Sequence, residues 1–394
     1  MALLVQKFGG TSVGSIERIE AVAERVIKAR QSGHQVVVVL SAMAGETNRL
    51  LGLAKQIDEI PTPRELDVLL AAGEQMSIAL LAMALNKRGY SAVSLIADQV
   101  VIRTDNAFNN ATIREVETQR ITALLGDDNI VIVAGFQGRD IDGNITTLGR
   151  GGSDTTAVAI ASALDADECQ IFTDVDGVYS TDPRIVPTAI RLDVIHFDYM
   201  TSMARLGAKV LQLQSVEYAC QHRVPLRVLS SFDDSEGTLV NFDSMVSSTI
   251  IGVALQNQHV LLEIALPETE INKHLALFGG TAWIIDHARD ENKSQIVVVN
   301  DDIARLKLVF DSKMRHIGMV SILSLVGENT EHYLDSVQKV LKEANIKVHT
   351  YQSDKKCLSL LINDDDHVAA VDLIHKRFVV DGQSLDNQSY LAVS

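Results

Sequence analysis

The chain has 394 residues, 46% hydrophobic and 22% charged, which is ordinary globular usage with no room for a long disordered tract and more length than one core usually serves. Its 35 Lys and Arg against 51 Asp and Glu give a formal net charge of −16, the wrong sign for holding nucleic acid or an anionic membrane by counterion release. An anionic small molecule would need a local basic island, so each Lys or Arg inside a motif carries information. Cys169, Cys220 and Cys357 are widely spaced and form no C-x-x-C pair, which implies a reducing, cytoplasmic setting. The opening MALLVQKF reaches a lysine and then glycines too soon for a signal peptide, and the longest apolar runs, such as 36–40, fall far short of the ~20 residues that span a bilayer.

Strand-like and helix-like stretches alternate over the first two thirds. Residues 2–5 read as a short buried strand leading through Gly9, Gly10, Thr11 and Ser12 into a segment with Ile16, Ile19, Val22, Ala23, Val26 and Ile27 at helical spacing. A strand follows at 36–40, a long helix at 64–86, and strands at 92–96 and 130–134. The turn signal Asp142-Gly143-Asn144 predicts a hairpin over 136–147. Such alternation predicts an α/β fold with a parallel-rich sheet between helix layers, whose ligands sit beyond the carboxyl ends of the strands. Residues 231–248 are polar with little periodicity and read as a linker. From 250 onward, short strands and helices recur in two rounds that fit two βαββαβ units.

Three constellations can carry chemistry. Lys7-Phe8-Gly9-Gly10-Thr11-Ser12 stands where a strand hands over to a helix, so the glycines let backbone approach a phosphate while Lys7 adds a full charge. The alternative is a glycine turn with Ser12 as helix N-cap. In Gly149-Arg150-Gly151-Gly152-Ser153-Asp154, an arginine enclosed by glycines has no packing rationale, but it suits bidentate capture of a carboxylate beside a helix start. A capped helix start explains only its last residues. Thr173-Asp174-Val175-Asp176-Gly177-Val178-Tyr179, followed by Asp182-Pro183-Arg184, is an acid-rich turn that could hold Mg²⁺ or a ribose, or could simply be a surface turn. Ser41, Thr47, Glu74 and Lys209 gain meaning only in this company. No histidine spacing predicts a metal site.

In this order, K-F-G-G-T-S-V at 7–13, S-A-M at 41–43, G-E at 73–74, V-A-G-F-Q-G at 133–138, T-T-L-G-R-G-G-S-D-T-T at 146–156, T-D-V-D-G-V-Y at 173–179, D-P-R at 182–184, R-L-G-A-K-V-L at 205–211 and V-P-L-R-V at 224–228 closely resemble the aspartate kinase family. The resemblance runs from residue 1 to about 230. It implies an amino-acid-kinase fold over 1–240, followed by two ACT-like ligand-sensing modules at 249–316 and 317–394. It also implies transfer of the ATP γ-phosphoryl group, with Mg²⁺, to the β-carboxylate of L-aspartate.

Carried over residue by residue, the resemblance assigns Lys7, Gly9, Gly10 and Ser12 to the phosphates, with Asp154 organising the cationic groups around them. Ser41, Thr47, Glu74, Arg150, Gly151, Gly152 and Ser153 would hold aspartate, Arg150 on its α-carboxylate and Glu74 near its ammonium. Thr173, Asp174, Tyr179, Asp182, Arg184 and Lys209 would line the ATP pocket. The nucleophile is already a carboxylate, so no general base is needed, and some closure over the reactive acyl phosphate is expected. At least a homodimer is expected through the C-terminal modules, and Met245 could serve as an internal start. The loops at 266–270 and 327–331 lack the Pro-Gly of relatives and add carboxylates, so feedback by lysine or threonine should be weak, absent or altered.

Overall fold

The computed structural model describes residues 1–243, 250–278, 282–285 and 293–382; Met245 lies outside them. The chain forms two compact units: residues 1–178, 191–204 and 209–245 make the first, and 179–190, 205–208 and 246–394 the second.

An eight-stranded sheet organises the first unit, in the order Val194–His196, Thr238–Asn241, Leu226–Ser230, Glu168–Thr173, Leu3–Phe8, Gln35–Leu40, Ile130–Ala134 and Ala92–Leu95. Every pairing is parallel except that between Leu226–Ser230 and Thr238–Asn241. Val36 to Leu40 are all fully buried, as unbroken β-branched and Leu runs must be when helices cover both faces of a parallel sheet. One face packs Phe8, Val36, Val38 and Leu40 against Ile19, Val22 and Val26 of the helix Ile16–Gln31 and Ile78, Leu81 and Leu85 of the helix Pro63–Lys87. Strand alternation then turns Lys7 away from that core, toward the helix Gly152–Ala163.

The segment read as helical from Ile16 forms the helix Ile16–Gln31, capped by the Ser15 hydroxyl, which accepts the Arg18 N–H at 3.3 Å; a separate 3₁₀ turn, Gly10–Val13, stands between it and the strand. The stretch read as a linker contains the strand Thr238–Asn241, too short to show a period, fixed by Gly237 at φ +70° and by the Thr238 hydroxyl donating to the Leu192 carbonyl. The helix Pro63–Lys87 has 25 residues and is apolar enough to cross a membrane by length and composition, although Asp67 and Glu74 break it into shorter apolar runs. Both carboxylates are buried within the unit, together with Leu70, Ala71, Ile78, Leu81, Ala82 and Leu85. The hairpin forms as read, pairing Gln137–Arg139 with Ile145–Thr147 across a turn with Gly143 at φ +83°.

The second unit holds one six-stranded sheet: Trp283–Ile285, Ser294–Val299, Ile250–Ile264, Met314–Gly327, Cys357–Asn363 and Val348–Ser353. Two long central strands contribute to separate cores. Val260, Leu262 and Ile264 pack with Ile271, Ile296 and Phe310, whereas Ile250 and Val253 pack with Leu323, Leu325, Val337, Leu341 and Leu360. Met314–Gly327 therefore closes one βαββαβ round and opens the next. The second round takes the start of Ile250–Ile264 as its neighbouring strand, pairing Val253 with Leu325 and Leu255 with Leu323. Tyr179–Ile190 is built into this unit: Val186 joins the second core, and the Val253 N–H donates to the Ser180 carbonyl at 2.6 Å.

Candidate active site

The carboxyl ends of the central strands deliver the chemistry, as expected for a parallel sheet. Lys7 is the penultimate residue of Leu3–Phe8 and is nearly solvent-free, its Nζ 2.6 Å from Oδ1 of Asp154 in the first turn of Gly152–Ala163. Just beyond the strand, the Ala44 N–H donates to the Gly10 carbonyl at 3.1 Å. A Cβ on Gly10 would stand 3.0 Å from the Ala42 carbonyl oxygen, and one on Gly9 would stand 3.4 Å from Lys7 Nζ. Gly10 needs that space clear, whereas the contact at Gly9 is an ordinary one.

Glu74 faces the same place from the long helix. It is 3% exposed, accepts the Ala42 N–H on Oε1 at 2.9 Å, and leaves Oε2 without a protein partner. Burial pushes its carboxyl pKa up to about 7, with the Ala42 bond holding it back. Gly73 makes the approach possible, because a Cβ there would come within 2.8 Å of Ala42 Cβ.

The arginine loop supplies the third wall. Gly149 and Gly151 sit at φ +74° and +77°, a region that side chains rarely adopt, and a Cβ on Gly151 would lie 2.3 Å from Gln212 Cγ. Arg150 between them is exposed and makes no ion pair among the described residues. It is a free guanidinium beside buried groups.

Together these segments line a cleft of about 370 Å³. It gathers Lys7, Gly10, Ser41, Thr47, Glu74, Arg150, Gly151, Gly152, Ser153 and Asp154 from the sequence-derived set. Ala42, Met43, Ala44, Gly45, Phe136, Gly149 and Gln212 also line it and went unassigned. Phe136 has φ +67°, which an isolated aromatic letter does not reveal, and Gln212 precedes the helix Leu213–His222 with no motif of its own. Gly9 does not line the cleft. Ser12 is buried with its hydroxyl 2.5 Å from that of Ser231 and caps no helix. Thr173 ends the strand Glu168–Thr173 and donates its hydroxyl to Asp174, while Lys209 is exposed. Tyr179, Asp182 and Arg184 belong to the second unit, where Arg184 grips the Asp182 carboxylate through Nε at 2.9 Å and Nη2 at 2.7 Å.

A buried ammonium, a helix start, a free guanidinium and a desolvated carboxylate on one cleft suit a small zwitterion that must meet a phosphate. Residues 2–230 match the amino acid kinase family. The aspartate kinase of Pseudomonas putida is 46% identical over 407 aligned positions, covering 97% of this chain and 98% of that one. Two solved structures of E. coli aspartokinase III, one with aspartate and ADP in the R-state and one with lysine and aspartate in the T-state, are each 27% identical in sequence. They superpose with TM-scores of 0.79 and 0.77 over 95% and 96% of this chain and 99% of each of theirs. Likeness over nearly the full length of both chains, in sequence as in fold, leaves one conclusion: the chain belongs to the amino acid kinase family and, within it, to the aspartate kinases.

Proposed function

We propose that this chain transfers the γ-phosphoryl group of ATP to the β-carboxylate of L-aspartate, giving 4-phospho-L-aspartate, the first step toward lysine, threonine and methionine. The observation that carries this reading is the convergence of Arg150, Glu74 and the Lys7–Asp154 pair on one cleft. Arg150 takes the α-carboxylate and Glu74 the ammonium, with Ser41, Thr47, Gly151, Gly152 and Ser153 around the rest of the amino acid. That grip leaves the β-carboxylate for the phosphate end.

The nucleophile is already an anion, so the residues need only bring two negative groups together and stabilise the charge that spreads in the transition state. Lys7 does this as a buried cation held in place by Asp154, and the start of Gly152–Ala163 adds partial positive charge. Gly9 and Gly10 are assigned to the phosphates, Gly10 lining the cleft beside Lys7. Ser12, Thr173, Asp174, Tyr179, Asp182, Arg184 and Lys209 are assigned to the nucleotide. Mg²⁺ is assigned to the nucleotide's phosphates, which bring their own oxygen donors. Mg²⁺ would neutralise phosphate charge there.

The same reading makes residues 1–240 the catalytic part and 249–316 and 317–394 ACT-like sensing modules of a cytoplasmic homodimer or larger homo-oligomer. ATP consumption measured with aspartate, glutamate and nucleoside monophosphates tests it. Turnover with aspartate alone is expected, and preference for a nucleotide or for glutamate would overturn it.

A further inference from the structure

The helix Pro63–Lys87 carries a second buried carboxylate, seven residues before Glu74 and so on nearly the same face. Asp67 is fully buried and makes no ion pair among the described residues. Its partners are all neutral donors. The Asn109 N–H reaches both oxygens at 3.0 Å, the Thr147 N–H reaches Oδ2 at 2.9 Å, and the Thr147 hydroxyl reaches Oδ1 at 2.6 Å. Burial pushes its pKa up and these bonds pull it back.

Such a desolvated charge is costly unless its bonds do something that packing cannot. Here they join three segments. Thr147 ends the hairpin strand that runs directly into Gly149 and Arg150, and the Ala111 N–H donates to its carbonyl at 2.9 Å. The 109–111 segment backs onto the arginine loop so closely that a Cβ on Gly149 would meet Asn110 Oδ1 at 2.9 Å and the Asn109 carbonyl at 3.3 Å. One helical turn beyond Asp67, the Ala71 carbonyl accepts Gln137 Nε2 at 3.1 Å from the strand paired with Thr147. The next polar contact along the same face is Glu74 with Ala42.

We propose that Asp67 is a positioning residue: it fixes the root of the Gly149–Arg150–Gly151 loop to the helix that carries Glu74, and so sets the span between the groups that grip the two ends of an α-amino acid. This rests on the assignment of Arg150 and Glu74 to the substrate. Asp67 touches no substrate. Its replacement by asparagine therefore weakens aspartate binding without touching the nucleotide, because the amide keeps the volume but turns an amine toward the backbone N–H donors.

Steady-state kinetics of the full-length enzyme with Asp67→Asn, varying each substrate in turn, tests this. The aspartate KM is expected to rise about tenfold or more with the ATP KM within about twofold of wild type. An unchanged aspartate KM, or a fall in kcat alone, would mean that Asp67 is only structural and would overturn the proposal. Should Asp67→Asn fail to fold, Thr147→Val decides on the same split, since it removes one donor and leaves the carboxylate; an aspartate KM about threefold or more above wild type is expected. Arg150→Ala separates the two layers of the reasoning. If it leaves the aspartate KM unchanged, the substrate assignment fails; if it raises the KM while Asp67→Asn does not, the positioning role alone fails.

Discussion

Replacing Glu74 by glutamine removes a charge that the fold holds at a cost, and it should move stability and substrate binding in opposite directions. The carboxyl is raised from 4.5 to about 7 by burial. A rise of that size corresponds to about 3 kcal/mol by which the fold prefers the protonated form. A raised carboxyl stabilises the fold below its unfolded pKa, and that contribution is lost as pH climbs through about 7. At pH 8 the free enzyme thus carries the full penalty, and at pH 5 about a quarter of it. Glutamine can keep the Ala42 N–H bond on Oε1, but it puts an amine where Oε2 has no partner, a cost of about 1 to 2 kcal/mol. Glu74→Gln should therefore be about 1 to 2 kcal/mol more stable than wild type to urea at pH 8, and equal or less stable at pH 5. Loss of the partner for the aspartate ammonium should raise the aspartate KM by about 30-fold or more. In the wild type, kcat/KM for aspartate should rise with pH through about 7 as Glu74 ionises, and this limb should vanish in the variant. A variant destabilised equally at both pH values, or one with an unchanged aspartate KM, would refute the reasoning.

Arg150→Ala and Lys7→Ala should each cut activity by about 10²-fold or more with little change in melting temperature for Arg150, whose side chain is exposed; near-normal turnover of either variant removes that residue from the site. His375 is fully buried with Nε2 2.8 Å from the Ser180 hydroxyl, and burial lowers its pKa, so its contribution to stability is present above 6.5 and is lost as pH falls. His375→Gln should flatten the decline in urea midpoint below that pH, leaving the part due to His259, which burial also lowers; an unaltered decline would count against it. Lysine, threonine and methionine, titrated singly and in pairs into the aspartate assay, should inhibit weakly or not at all. The Thr330 N–H is already donated to the Lys355 carbonyl, and those of Glu270 and Ile271 to the Pro267 carbonyl. Tight inhibition by lysine alone at micromolar concentration would overturn this expectation.

What was legible in the sequence follows from how far each constraint reaches along the chain. Gly10, Arg150 and Asp154 stand in segments whose local chemistry is odd without a ligand, so the letters themselves single them out, and all three line the cleft. Val36 to Leu40 betray a doubly covered strand in the same way. The helical period from Ile16 is in the letters, but the cap is not: Ser12 and Ser15 are equally good caps on paper, and the contact of the Ser12 hydroxyl with Ser231, 219 residues away, takes it out of competition.

Long-range pairing also hid the way the second unit divides its strands. Residues 316 and 317 fall inside Met314–Gly327, and Ile250–Ile264 gives its ends to different cores, so reading the chain in order cannot assign either strand to one module. Asp67 is the sharpest case. It occupies a helix position that periodicity marks as apolar, and a lone carboxylate there is ordinarily taken for a solvated residue. Its partners, Asn109 and Thr147, lie 42 and 80 residues further on in segments with little period of their own. A buried carboxylate satisfied only by backbone and hydroxyl donors is thus the kind of group that a sequence conceals and a fold reveals, and in this chain it stands two helical turns from the residue assigned to the substrate ammonium.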